Sequence, residues 1–312
     1  MNVLVTGGTG LIGKAFYRHV RQVSNDTFWL YSRRTGGDIL DHEHLRRAVQ
    51  GKDLVIHLAA CTHVDFSIGG ELTEKQYYID VNTKGTLNVL DACRKAGAKL
   101  IHVSTSEVYG TNQQPGEPMT EEHALLGQAG TYAVSKVGAD LLCRMAYMTE
   151  GQDVVVLRPF NQVGPGQSKE KLFPRFIGQA LQGEPLTIYG DGEQRRDYVH
   201  VEDTARAIWA ARKLEPGTIC NVGTERSYTI NEIAEMILEV CGDRTTATHV
   251  HVESRPAEVR ELIGSYRKLN RLTGWEPEYM VRDIINDLIG WYAANGEIQP
   301  PVRGEYPTPM VA

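Results

Sequence analysis

The chain of 312 residues has no long apolar run, no Cys-x-x-Cys pair, no basic cluster and no internal repeat. Without about 18 consecutive apolar residues no segment is expected to span a bilayer as a helix, and the first residues do not read as a secretory leader. The cysteines (Cys61, Cys93, Cys143, Cys220, Cys241) are odd in number, a pattern of reduced thiols that excludes a disulfide framework or zinc ribbon. A cytoplasmic protein with no metal is therefore expected. A net charge of -6, with basic residues scattered, argues against a nucleic-acid partner.

Short apolar runs alternate with helical patterns in the first half, the arrangement of a parallel sheet with helices on both faces. Strands are predicted at Val3–Val5, Phe28–Tyr31, Leu54–Leu58, Leu100–Val103 and Val154–Leu157. Helices are predicted at Leu11–Gln22, Glu43–Val49, Asn82–Ala96 and Tyr132–Thr149. After Arg158 proline and glycine become frequent and elements look shorter. The predicted architecture is α/β: a Rossmann-type doubly wound sheet over residues 1–158, with a return segment near 197–214. A smaller α/β substrate lobe occupies mainly 159–295, and a proline-rich tail covers 296–312.

Two local patterns carry chemistry. The first is Thr6-Gly-Gly-Thr-Gly-Leu-Ile-Gly13, placed between a strand and an amphipathic helix. Gly7, Gly10 and Gly13 permit a tight turn and close backbone approach to a pyrophosphate, which meets the positive helix end at Leu11 and Ile12. The second is Tyr132-Ala-Val-Ser-Lys136, with Thr105-Ser106-Glu107 upstream. On a helix Tyr132 and Lys136 lie one turn apart, so the lysine is expected to stabilise a phenolate and lower the tyrosine pKa. Thr105 then shares the proton of an alcohol while a hydride leaves the carbon.

These motifs resemble the extended short-chain dehydrogenase/reductase family, the nucleotide-sugar epimerases and dehydratases. Further stretches carry the likeness: Asp38-Ile39, His57-Leu58-Ala59-Ala60, Arg158-Pro-Phe-Asn161 and Arg196-Asp-Tyr-Val-His-Val-x-Asp203. The resemblance covers nearly the whole chain and implies an NAD(P) cofactor, a nucleotide-diphosphate sugar substrate and a homodimer built on Asn82–Ala96 and Tyr132–Thr149. It makes Tyr132 the base, lets Lys136 orient the nicotinamide ribose, and sets Asn161, Arg196 and Arg255 on the diphosphate. Thr62 falls to the substrate as well, and Phe173 and Tyr189 suggest a base-stacking wall.

Glu107 discriminates among reactions. Oxidation at C4 acidifies the C5 proton; a carboxylate there can remove it so that the C6 hydroxyl leaves as water. A 4,6-dehydratase is the leading expectation. A 4-epimerase needs no such acid; a uronate decarboxylase, a 4-keto-sugar reductase and a non-catalytic cofactor-binding scaffold are the remaining alternatives. Ser106 stands where many sugar dehydratases carry Asp. The second strand ends in Ser32-Arg33-Arg34 with no acid for a ribose 2′-hydroxyl, which favours NADP. Only a few residues separate Arg34 from Asp38, so the usual third strand is expected to be missing.

Overall fold

The structure, a computed structural model, describes residues 1–62, 64–128, 130–242, 245–254 and 258–295. Five strands, β1 (Asn2–Thr6), β2 (Thr27–Tyr31), β3 (Leu54–His57), β4 (Lys99–Val103) and β5 (Val154–Pro159), join the strand Ile219–Val222 in one sheet. The order is Ile219–Val222, β5, β4, β3, β1, β2, and every pairing is parallel. β3 and β5 are buried along their whole length, which is why they read as unbroken apolar runs. From β1 the chain winds first outward to β2 and then back to β3 on the other side. The strand order therefore reverses between β1 and β3, where open α/β sheets bind their ligands.

Two apolar layers cover the sheet. On one face the helix Leu11–Val23 and the helix Val201–Ala211 pack around Phe16, Val20, Ile208 and Trp209. On the other lie the helices His42–Val49, Gly85–Ala96 and Gly130–Glu150, contributing Leu45, Val89, Leu90, Cys143 and Ala146. A third cluster joins Phe173, Phe176, Ile177, Ile233, Ile237, Ile284 and Leu288. Its helices, Leu172–Gln182, Ile230–Cys241 and Val281–Ala294, run 11, 12 and 14 residues. They are not shorter than those of the first half, contrary to expectation; Gly164, Pro165 and Gly166 fall in a connection between elements. Between β2 and the helix His42–Val49 there is no strand, only a 3₁₀ turn at Arg33–Thr35.

One buried ion pair ties these parts together. Arg158 on β5 donates from Nε and Nη2 to the two carboxylate oxygens of Asp140, at 2.9 and 2.8 Å, and neither side chain is more than 1 % exposed. Its Nη1 donates to the Tyr109 hydroxyl, which in turn donates to Asn221. Removing one partner of such a pair leaves a buried charge unpaired and costs about 3–5 kcal/mol.

Candidate active site

The carboxyl ends of the strands open into one continuous cleft of about 1330 Å³. Every candidate residue named from the sequence lines it, with the exception of Arg255, which lies outside the described residues. At one end is the glycine turn. Gly7 sits at φ +67°, and a Cβ there would come within 2.6 Å of the Ala59 nitrogen; one at Gly13 would meet the Gly8 backbone at the same distance. The turn and helix are therefore packed backbone to backbone. Gly10 caps the helix Leu11–Val23 with no side-chain hydrogen bond, so its first-turn N–H groups face the cleft without a side-chain acceptor. This cradle fits the pyrophosphate of a dinucleotide.

Beyond the turn, Thr9 donates to the Ser32 hydroxyl, and Ser32 leads into the exposed Arg33 and Arg34. Arg34 has no hydrogen-bond or ion-pair partner among the described residues. The Asp38 carboxylate is occupied by the Leu40 N–H, while Ile39 is buried beside Gly85.

The middle of the cleft holds the polar apparatus. Lys136 is buried and donates to the Val103 carbonyl at 2.9 Å. Burial brings its pKa down to about 8, against the pull of Cys143 and Asp140. Tyr132 is also buried, and burial raises its phenol above the ordinary range while its hydrogen bond with Thr105 acts the other way. The shift is opposite to the lowering expected from the lysine: burial dominates, and Glu107 adds to the rise. Thr105 accepts from the Glu107 N–H as the cap of the 3₁₀ turn Ser106–Val108. Ser106 is buried, whereas Glu107 is half-buried and projects into the cleft. Burial raises the Glu107 carboxyl, Arg196 opposes the rise and Glu258 adds to it.

At the far end, Arg196 donates to Glu258 at 2.8 Å and to the Arg195 carbonyl. Its side chain is only 11 % exposed, so this is a cleft pair rather than a surface one. The Asn161 Oδ1 is buried with no hydrogen-bond partner among the described residues. Thr62 is exposed at the rim. The Phe173 ring packs edge-on against Tyr198 at 4.8 Å and is 1 % exposed, which makes it a core ring more than a stacking surface. Tyr189 is half-buried with the Arg175 guanidinium over its ring. Among the described residues no group of three or more His, Cys, Asp or Glu is placed to hold a metal, and no helix is long and apolar enough to cross a membrane.

Sequence reasoning missed several cleft residues. Glu258, close in sequence to Arg255, could have been suspected as a partner for an arginine. Tyr77 and Lys171 belong to no motif. Nor did the sequence distinguish the π-helical turn Ile79–Lys84 from the helix Gly85–Ala96 that follows it. That turn directs Asn82 inward, where it accepts from the Cys61 N–H and donates to the Cys61 carbonyl and the Ser135 hydroxyl.

Fold and cleft together describe a Rossmann-type nucleotide-dependent enzyme. A profile of the NAD dependent epimerase/dehydratase family matches residues 3–223, and the chain belongs to that family. It is 32 % identical to a dTDP-glucose 4,6-dehydratase of Streptomyces niveus over 97 % of this chain and 96 % of the other. The structure of a dTDP-glucose 4,6-dehydratase from Streptomyces venezuelae, solved with NAD, superposes with a TM-score of 0.86 at 30 % identity, covering 96 % of this chain and 99 % of that one. A UDP-glucuronic acid 4-epimerase from Bacillus cereus, solved with UDP-glucuronic acid and NAD, gives 0.85 at 27 % identity, covering 95 % and 100 %.

The lysine makes a pH prediction. Because the folded pKa of Lys136 (about 8) lies below the ordinary 10.5, the unfolded chain holds more protons in between, and stability is gained as pH rises from about 8 to 10.5. Urea unfolding of Lys136→Met should lack that part of the rise; an unchanged slope would show that the ammonium is not desolvated.

Proposed function

We propose that this chain is a nucleotide-sugar 4,6-dehydratase. The observation that carries the proposal is Glu107, a carboxylate in the cleft beside Thr105 and Tyr132, with its proton affinity raised by burial. Bound in the cleft, the nicotinamide would accept a hydride from C4 of the sugar and return it at C6. Tyr132, hydrogen-bonded to Thr105, would receive the C4 hydroxyl proton in its ionised form, which positive charge from Lys136 and a bound oxidised nicotinamide would favour against burial. Glu107 then takes the acidified C5 proton and gives it to the departing C6 hydroxyl, which leaves as water. As the hydride returns at C6, C5 is reprotonated, the proton taken from the C4 hydroxyl closing the balance. Ser106, buried next to it, can assist only by passing a proton along. The 4-epimerase remains the second reading, because the epimerase from Bacillus cereus shares the fold; but epimerisation leaves Glu107 without a task.

Arg196 and Asn161 would hold the diphosphate, since a guanidinium fork matches phosphate oxygens in pairs. The substrate lobe then corresponds mainly to residues 159–295. Ser32, Arg33 and the unpaired Arg34 favour NADP, a 2′-phosphate being attracted where an acid would repel it. A homodimer is supported by Val134, Leu141, Met145 and Met148, which form an apolar stripe exposed by 53, 47, 36 and 73 % along Gly130–Glu150. Five free thiols are consistent with the cytoplasm.

Three measurements follow. Mass spectrometry of GDP-, UDP- and dTDP-hexoses incubated with the protein should reveal loss of water. Glu107→Gln should lower that rate by about 100-fold or more while C4 oxidation persists; an unchanged product mass with a new retention time would make the chain an epimerase. Nucleotide binding should favour NADP over NAD, and Arg34→Ala should reduce the preference by about tenfold; equal affinities in the unmodified protein would reject the 2′-phosphate site. By light scattering Leu141→Asp should halve the mass of the particle, and a monomeric parent would dispose of the dimer.

A further inference from the structure

We infer that Tyr77 and Arg33 form a clamp over the adenosine end of the cleft, making Tyr77 a further cofactor-binding residue. The inference rests on the cleft being a dinucleotide site. Tyr77 lies in the last turn of the helix Leu72–Tyr78, and Arg33 opens the 3₁₀ turn after β2, so the two reach the cleft from different walls. The Arg33 guanidinium lies 5.8 Å from the centroid of the Tyr77 ring, within cation–π range. No carboxylate competes: among the described residues the ring is the partner of this cation. Both side chains remain solvent-accessible, with Tyr77 36 % exposed, so the contact can open without disturbing the core.

Both bases of the clamp are fixed. On the Arg33 side, Ser32 N–H donates to the Thr35 hydroxyl, which donates to the Leu30 carbonyl. On the other, Tyr78 is buried and the π turn continues directly from it. Ile39 and Val81 line the same end of the cleft, an apolar floor suited to a purine face. A nucleotide seated on that floor must pass the Arg33–Tyr77 contact to leave. Retention suits a reaction that gives back the hydride it takes, because the cofactor has no need to exchange between turnovers.

The test is the dissociation rate of NADPH, and separately of NADH, followed by nucleotide fluorescence after dilution into excess oxidised cofactor. Tyr77→Ala should release the nucleotide about 5-fold faster, and Tyr77→Phe, which keeps the ring, should match the parent within about 2-fold. Thermal unfolding of the nucleotide-free variants checks that both are folded. Equal rates for Tyr77→Ala and parent would overturn the clamp, as would a Phe variant as fast as Ala. These rates do not depend on the sugar reaction, so the dehydratase proposal can fail while the clamp stands; failure of the parent to bind either nucleotide would overturn the clamp with the cofactor site itself.

Discussion

The pairing of Arg158 with Asp140 is the constraint on which the site depends. Asp140 lies one helical turn beyond Lys136 and two beyond Tyr132, on the same stripe of the helix Gly130–Glu150. Arg158 is the penultimate residue of the strand that leads to Asn161, and Tyr109, its second side-chain partner, directly follows the turn that carries Thr105, Ser106 and Glu107. One guanidinium therefore sets the helix, the strand and the turn relative to one another. The fork is rigid and bidentate, so it determines both axial position and rotation, which apolar packing alone specifies loosely. Asn221 extends the network to the edge strand, accepting from Tyr109 and donating to the Met119 carbonyl.

The same low-dielectric surroundings govern the chemistry. Tyr132, Lys136 and Glu107 are each pushed toward the neutral form by burial. For general acid–base work this is the useful direction in the carboxyl and the amine, whose pKa values move toward neutrality. The phenol moves away from it. In the proposed reaction, a base at Tyr132 would rely on charge brought close to it, and Lys136 stands one turn along the helix. Arg196 enters this balance from the other end of the cleft, since it favours the charged form of Glu107 while being held by Glu258.

Much of this was legible in the chain because it is encoded locally. Strands buried on both faces appear as unbroken apolar runs, and the glycine turn is recognisable from backbone needs that few other residues meet. Tyr132 and Lys136 are joined by helical spacing. The third strand expected to be missing is replaced by a turn that Ser32 and Thr35 cap from within three residues. What could not be read depends on distance in space. Glu258 meets Arg196 across 62 residues, Tyr77 meets Arg33 across the cleft, and neither belongs to a repeating pattern. The rise at Tyr132 has the same origin: helical spacing reveals the lysine but not how much protein surrounds the phenol.

The wide turn Ile79–Lys84 has a consequence for one wall of the cleft. A π turn holds one residue more than an α turn, and its wider winding advances each residue by less than the roughly 100° of an α-helix. The surplus residue is therefore absorbed within the turn, and the segments Leu72–Tyr78 and Gly85–Ala96 on either side keep their phase. What changes is local: Asn82 faces Cys61 and Ser135 from the widened turn, while Thr86, just beyond it, touches the His57 ring at 3.0 Å. The turn is a blister in that wall, adding a side chain there without redirecting the helix that carries it.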